Sequence, residues 1–418
     1  MENNLQRNAT SRSNRLFEVA TIFYLLLRPV LTIYGGMSWG YDSILLLGLM
    51  IYFVFDCIHK KRNPIHSLPR ILVVYFVWLI ICNYLSAGSL IPFGNLYMLL
   101  TFCLIFSVVD MQLLLKYYRW VAIAAIALFF FQEFSYATTG YRISGIIEWL
   151  PFRLGGESVD AGKFVTMKEE MTRSSSFFSE PAHFAQFLLP LFAIDFFKIH
   201  NLRSAIFPGI MIFVLLFLQS GNALVGLACV GVVFVLKLLN IKSLVKKIVL
   251  FIVIGGSAVI GGTYYVQSTM GEKLLERQET ITGDAEYSSG FLRVYRGYYV
   301  YDEYSFIEKI IGINNYDKIK QKRDQSEVSF LFLDDDDFYF NCFQDFLLRT
   351  GIIGGIMFFI LCYSLWKDNS FPGKAIIFTF FVLSFTASLY MSTTMILYLY
   401  LSYNLQKQKK TEQNVLIS

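Results

Sequence analysis

Apolar runs of near-bilayer length alternate with short polar junctions along almost the whole chain. They lie at 16–34, 42–58, 71–88, 91–109, 120–137, 181–197, 204–219, 222–237, 248–266, 344–366, 374–388 and 390–404. Each approaches the ~20 residues that cross a hydrocarbon core, or falls somewhat short of it, so the pattern predicts about twelve spans. The pairs within 204–237 and 374–404 could each be one long tilted helix; two short spans fit the charges better. Two stretches interrupt the rhythm, 138–179 and 267–343, and the second is too long for a mere connector. Within it, 290–310 and 338–350 have amphipathic helical spacing and predict a folded cap.

The junction charges orient the runs. Lys60, Lys61, Arg62 and Arg70 follow the second run, Lys116 and Arg119 the fourth, and Lys198 and Arg203 the sixth. Lys237, Lys242, Lys246 and Lys247 follow the eighth, Lys367 and Lys374 the tenth, and Lys407, Lys409 and Lys410 the twelfth. The short alternate junctions 35–41, 89–90 and 220–221 hold neither Lys nor Arg. Basic loops stay in the cytoplasm, so both termini are expected inside and both long loops outside. The polar start, with Arg7, Arg12 and Arg15 and no clear cleavage site, makes the first run a retained span.

The chain therefore divides into spans one to five (1–137), a first outer loop (138–179), spans six to nine (180–266), a large, partly helical outer loop (267–343), spans ten to twelve (344–404) and a cytoplasmic tail expected to fray (405–418). The expected class is an all-α polytopic membrane protein. Composition agrees: 55% of the 418 residues are hydrophobic and 16% charged, against about 25% charged in soluble domains. The net charge of +5 reports anchoring loops rather than a nucleic-acid partner. The six Cys sit mostly in apolar runs without a CxxC, which leaves no zinc site and no disulfide framework.

Candidate chemistry gathers where the first long loop enters the sixth run, TRSSSFFSEPAHFAQFLLP at 172–190. Ser179-Glu180-Pro181 reads as a helix start, with Ser179 at or near the cap. Glu180 and His183 would then share a face, with Arg173 beside them. Three such residues at a bilayer edge are costly without a use, although Glu180 alone could simply cap the helix. His183 is the one histidine expected outside, since His59, His66 and His200 fall in basic junctions.

A second cluster, SSGFLRVYRGYY at 288–299, places Arg293 and Arg296 one helical turn apart. Paired guanidiniums suit a diphosphate; a solvated amphipathic face would look the same. Tyr295, Tyr298 and Tyr299 could stack on a sugar or lie at the membrane interface. Asp334 to Asp337 form either a cation site or a solvated turn. Ser220-Gly221-Asn222 is a tight turn or a polar cavity lining.

The segments RSSSFFSEPAHFAQFLLP (173–190), SSGFLRVYRGYY with IIGINNYD (288–299, 310–317) and NCFQDFLLRTGIIGGIMFF (341–359) together resemble bacterial O-antigen and capsule polymerases of the Wzy type, and the related O-antigen ligases. The resemblance runs from about 173 to 360. It implies a glycosyltransferase architecture of the GT-C type in the bacterial inner membrane, acting on undecaprenyl-diphosphate-linked oligosaccharides without a cofactor or metal. Taken with the residue chemistry above, the expected catalytic residues are Arg173, Glu180, His183 and Arg293, and the expected substrate-binding ones Arg296, Tyr295, Tyr299, Asn341 and Asn222. Membrane lipids, a chain-length regulator and a flippase are the implied partners. Ligases of this kind carry a His just before the Asn that leads the tenth span; here that position is Phe340. The competing readings are a ligase onto another acceptor, a lipid-linked-glycan flippase or transporter, and a non-catalytic scaffold of envelope assembly.

Overall fold

The computed structural model describes residues 2–35, 40–87, 93–147, 149–154, 157–159, 173–239, 289–326, 329 and 340–417. Its helices are α1 (Glu2–Leu31), α2 (Tyr41–His59), α3 (Arg70–Ala87), α4 (Phe93–Val108), α5 (Met111–Thr139), α6 (Pro181–Phe197), α7 (Leu202–Phe217), α8 (Gly221–Leu239), α9 (Ser289–Asp302), α10 (Phe306–Ile311), α11 (Tyr316–Gln325), α12 (Cys342–Trp366), α13 (Phe371–Leu383) and α14 (Thr393–Ile417). A short antiparallel hairpin, β1 (Phe152–Leu154) with β2 (Glu157–Val159), lies in the first long loop.

Every expected apolar run coincides with a helix, apart from 248–266, which lies outside the described residues. Among the described residues α2, α5, α8 and α12 are each long and apolar enough to cross a bilayer, and α3, α4, α6, α7 and α13 are apolar but shorter. At most half of each long apolar window is buried inside the protein. Ile44, Leu47, Ile51, Phe55 and Ile58 on α2 face outward, as do Trp120, Ile123, Phe131 and Phe134 on α5. Apolar surface of that extent is stable against lipid and not against water, so this is a helical membrane-embedded protein.

Among the described residues α6 is the most enclosed helix. Its run from Phe184 to Ile194 is buried throughout, and it packs on α5, α7, α8, α13 and α14. Pro190 lies inside it and cannot donate to the carbonyl of Gln186. The hydroxyl of Tyr398 in α14 donates to that oxygen instead, at 3.0 Å, and Tyr118 in α5 donates to the next carbonyl, that of Phe187. The backbone bond that Pro190 leaves unmade in an apolar interior is thus closed by a tyrosine from a neighbouring helix.

Helix ends group the molecule into two faces. At one, Glu18 of α1 meets the start of α5, Arg119 pairs with Asp195 of α6 at 2.5 Å, and Lys409 reaches the Asn369 carbonyl. At the other stand the ends of α5 and α7, the starts of α6 and α8, and the helices α9 to α11. These last dock on the far end of α3, where the Ser86 hydroxyl accepts the Asn314 N–H at 3.2 Å and Lys318 reaches the Ser86 carbonyl.

Three expectations change. The tail after 405 is helical, because α14 continues to Ile417 with Gln406 donating to the carbonyls of Ser364 and Lys367. The amphipathic stretch 290–310 is two helices, since Ser305 and Glu308 form a capping box that starts α10. The stretch 338–350 is not part of a separate cap: from Cys342 onward it is the first part of α12, which breaks at Gly351 (φ 63°, ψ −166°). The helix at the first candidate cluster starts where expected, with Glu180 at the N-cap and Ser179 just before it. The separate spans expected at 204–237 and 374–404 are separate helices.

The break in α12 is closed as carefully as the proline in α6. The carbonyl of Leu348 accepts from the Ile313 N–H at 2.8 Å and the Tyr304 hydroxyl at 3.2 Å. That of Thr350 accepts from the Trp78 indole at 3.0 Å. Just before the break, Arg349 pairs with Asp345 at 3.1 Å and lies over the Tyr390 ring, whose hydroxyl meets that of Tyr75 at 2.7 Å.

Candidate functional site

The first cluster is built by a loop clamped to the end of α5. Gln132 accepts the Ser176 N–H at 2.8 Å and donates to the carbonyls of Ser176 and Ile143 at 3.1 and 2.8 Å. Ser176 is held at φ 55°, a left-handed conformation that a non-glycine residue keeps only when its surroundings over-determine it. Gly145 passes so close that an added Cβ would stand 2.5 Å from the Ser176 oxygen. Phe178, fully buried, stacks between Phe177 and Phe184 and pins the loop to α6.

Arg142 completes the clamp. Its guanidinium is buried, donates to the Ser174 hydroxyl at 3.0 Å, stands 3.5 Å from the Glu133 carboxylate and covers the Tyr136 ring. Sequence reasoning passed over both Gln132 and Arg142. Neither belongs to a motif, and only folding brings the last turns of α5 against the serines.

On this platform Arg173 donates to the Gln219 carbonyl at 2.8 Å, fixing the loop to the turn between α7 and α8. Asn222 sits half-buried at the start of α8, next to that turn. Glu180 occupies the N-cap of α6 but its side chain makes no capping bond. The carboxylate has neither hydrogen-bond nor ion-pair partner among the described residues. The backbone carbonyl takes over the capping role, accepting from His183 and Phe184. His183, one turn in, has its Nδ1 2.7 Å from the Ser179 hydroxyl. Glu180 and His183 thus share the start of α6, and Arg173 is anchored on the turn between α7 and α8; all three are half-buried.

The second cluster sits on the first half of α12. Gly297 of α9 lies against Gln344, whose amide donates to the Val294 carbonyl at 2.7 Å. Arg296 is buried, with its guanidinium 6.0 Å from the centre of the Phe340 ring. Tyr299 is half-buried and Tyr295 exposed. Arg293 lies in the first turns of α9, and its side chain is outside the described residues, as are Asp334 to Asp337.

Asn341 has a structural job that the sequence reading did not foresee. Its oxygen accepts the Gln344 N–H at 2.9 Å in a capping box, and its amide donates to the Phe385 carbonyl at 3.0 Å. Together with bonds from Cys342 and Phe343 to the carbonyls of Ala387 and Ser384, it ties the start of α12 to the end of α13. The amides that a helix start leaves orphaned are thereby paired.

Chemically, the first cluster offers an uncommitted carboxylate one helical turn from an imidazole; the second offers a buried guanidinium over one aromatic ring, that of Phe340. α6 and α12, which carry the two clusters, both pack on α13 and α14. Neither a known protein-family model nor a curated protein sequence matches the chain.

Proposed function

We propose that this protein is a repeat-unit polymerase of the Wzy type: a GT-C-like membrane glycosyltransferase with about twelve spans, both termini in the cytoplasm and both long loops outside the bacterial inner membrane. It joins undecaprenyl-diphosphate-linked oligosaccharides into O-antigen, capsule or exopolysaccharide. One observation carries the reading. The two later segments that resemble this family, 288–317 and 341–359, seat on each other through Gly297 on Gln344 and Gly312 on Gly351. They do so at the end of the helix bundle where Arg173 and Glu180 stand.

In this reaction an acceptor hydroxyl attacks the anomeric carbon of the donor glycan, and the bond from that carbon to the diphosphate oxygen breaks. Glu180 takes the hydroxyl proton, a role its unpaired carboxylate suits, with His183 as its neighbour. Arg173, Arg293 and Arg296 stabilise the negative charge that develops on the leaving diphosphate. Attack opposite the leaving group inverts the anomeric configuration. Phe340 fills the place where a ligase of this superfamily carries its His, and packs against Arg296 instead; that favours the polymerase over the ligase.

The test is incubation of the purified protein with lipid-linked repeat units. A ladder of lengthened glycans on undecaprenyl diphosphate is the expected product. Transfer to lipid A core, or transbilayer movement without elongation, would replace this reading with the ligase or the flippase.

A further inference from the structure

At the face opposite Arg173 and Glu180, a cavity of about 660 Å³ opens between α1, the end of α2 and the junction of α4 with α5. Arg15, Glu18, Asp56, Lys60, Arg62 and Asp110 line it. The formal charges cancel, yet the carboxylates are already committed. Glu18 accepts the Asp110 N–H at 2.9 Å. Asp110 accepts the N–H groups of Gln112 and Leu113, both at 2.9 Å, as the cap of α5. Asp56 is paired with Lys60. The guanidiniums of Arg15 and Arg62 have neither hydrogen-bond nor ion-pair partner among the described residues. What the cavity offers a ligand is therefore two uncommitted forks, Arg15 and Arg62, in a lining whose formal charges balance.

The volume falls in the range of small-molecule sites, roughly 300–1,000 Å³, and exceeds what a bare phosphate fills. A smaller cavity of about 270 Å³ shares Asp56, Arg62, Ser107 and Val108 with it and ends on Phe53 and Cys57. The ligand class that fits is a phosphate ester: charged oxygens bound by two planar guanidiniums, with an organic group beyond. We propose that this cavity binds a phosphate-bearing anion between Arg15 and Arg62, supplied by a lipid headgroup or by a soluble phosphate compound.

The experiment uses the full chain purified in uncharged detergent. Retention of phosphatidylglycerol over phosphatidylcholine is read by native mass spectrometry, and stabilisation by inorganic diphosphate by thermal shift. The variants are Arg15→Ala/Arg62→Ala and, as a control on the same face, the exposed Arg203→Ala. Wild type and control are expected to bind at least one anionic probe, and the double variant to bind it about tenfold or more weakly. Selective retention of phosphatidylglycerol identifies a lipid source, and a diphosphate shift without it a soluble one. If the double variant does not fold, Arg15→Gln and Arg62→Gln are read singly. Binding of neither probe by wild type, or equal binding by wild type and the arginine variants, overturns the proposal.

Discussion

Gly312 and Gly351 meet backbone to backbone. A Cβ placed on Gly312 would stand 2.4 Å from the amide nitrogen of Gly351, and one on Gly351 would stand 2.2 Å from the Ile310 oxygen. Gly351 is the residue at which α12 breaks, and Gly312 ends α10. This contact is one of those that fasten the helices of the second long loop onto the bundle, beside the bonds to Ser86 and Leu348.

Both glycines lie in a region of backbone space that other residues hardly enter: φ 79° with ψ 175° at Gly312, and φ 63° with ψ −166° at Gly351. The backbone strain of Gly312→Ala or Gly351→Ala is about 1–3 kcal/mol, and the overlap with rigid main chain adds to it. Gly231→Ala, in open space on α8, is expected to be neutral or slightly stabilising. Thermal unfolding of the purified proteins ranks them; equal midpoints for all three would contradict the contact.

Glu180→Gln separates chemistry from capping. Because the Glu180 side chain makes no capping bond, the variant should insert and melt like wild type. If the carboxylate is the base, elongation should fall roughly 100-fold or more. Ladder length at matched membrane levels measures it, beside Arg173→Ala. Full-length ladders from both variants would remove the proposed site.

Gln132→Met tests the clamp. It removes the Gln132 bonds to the N–H and carbonyl of the buried Ser176, at about 1–3 kcal/mol for a buried group left unpaired. The protein should melt earlier, and the 173–180 loop should become open to protease. Gln112→Met, exposed on the same helix, should do neither. A clamp variant with wild-type melting and protection would show that the loop holds itself.

Glu308 predicts a pH dependence. Burial pushes its carboxyl up, but hydrogen bonds from Ser305 and the nearby charge of Lys322 outweigh burial and hold it below the ordinary 4.5. A lowered folded value stabilises the protein above the ordinary carboxylate range, and the gain is lost as pH falls through the lowered value. The difference in melting midpoint between wild type and Glu308→Gln should thus be largest near neutrality and vanish in acid. A difference constant with pH would argue for a purely steric effect.

Orientation is checked by impermeant thiol labelling in intact cells. Cysteines at Trp149 and Phe306, which are 82% and 79% exposed, should react from outside. Cysteines at Asn63 and Leu202, exposed at the other face, should react only after lysis. The reverse pattern would turn the protein over and end the outer-face reading.

The hydrophobic pattern by itself determined the helical, membrane-embedded class and nearly every helix, because in lipid a long apolar segment has no other way to pair its backbone. It also located the start of α6, where a polar loop, an acid and a proline meet an apolar run. Tertiary structure decided what the polar residues do. The resemblance implies Asn341 as a substrate contact, and only the approach of Phe385 and Gln344 makes it a joint. Glu180 looked equally like a cap, and only the geometry leaves its carboxylate unspent. Arg142 and Gln132 belong to no motif, and the serines they hold lie 32 and 44 residues away. Likewise the glycines at 312 and 351 are ordinary in sequence and become necessary once two backbones cross. Periodicity records which side of a helix is apolar; it holds no information on which distant carbonyl a side chain will find.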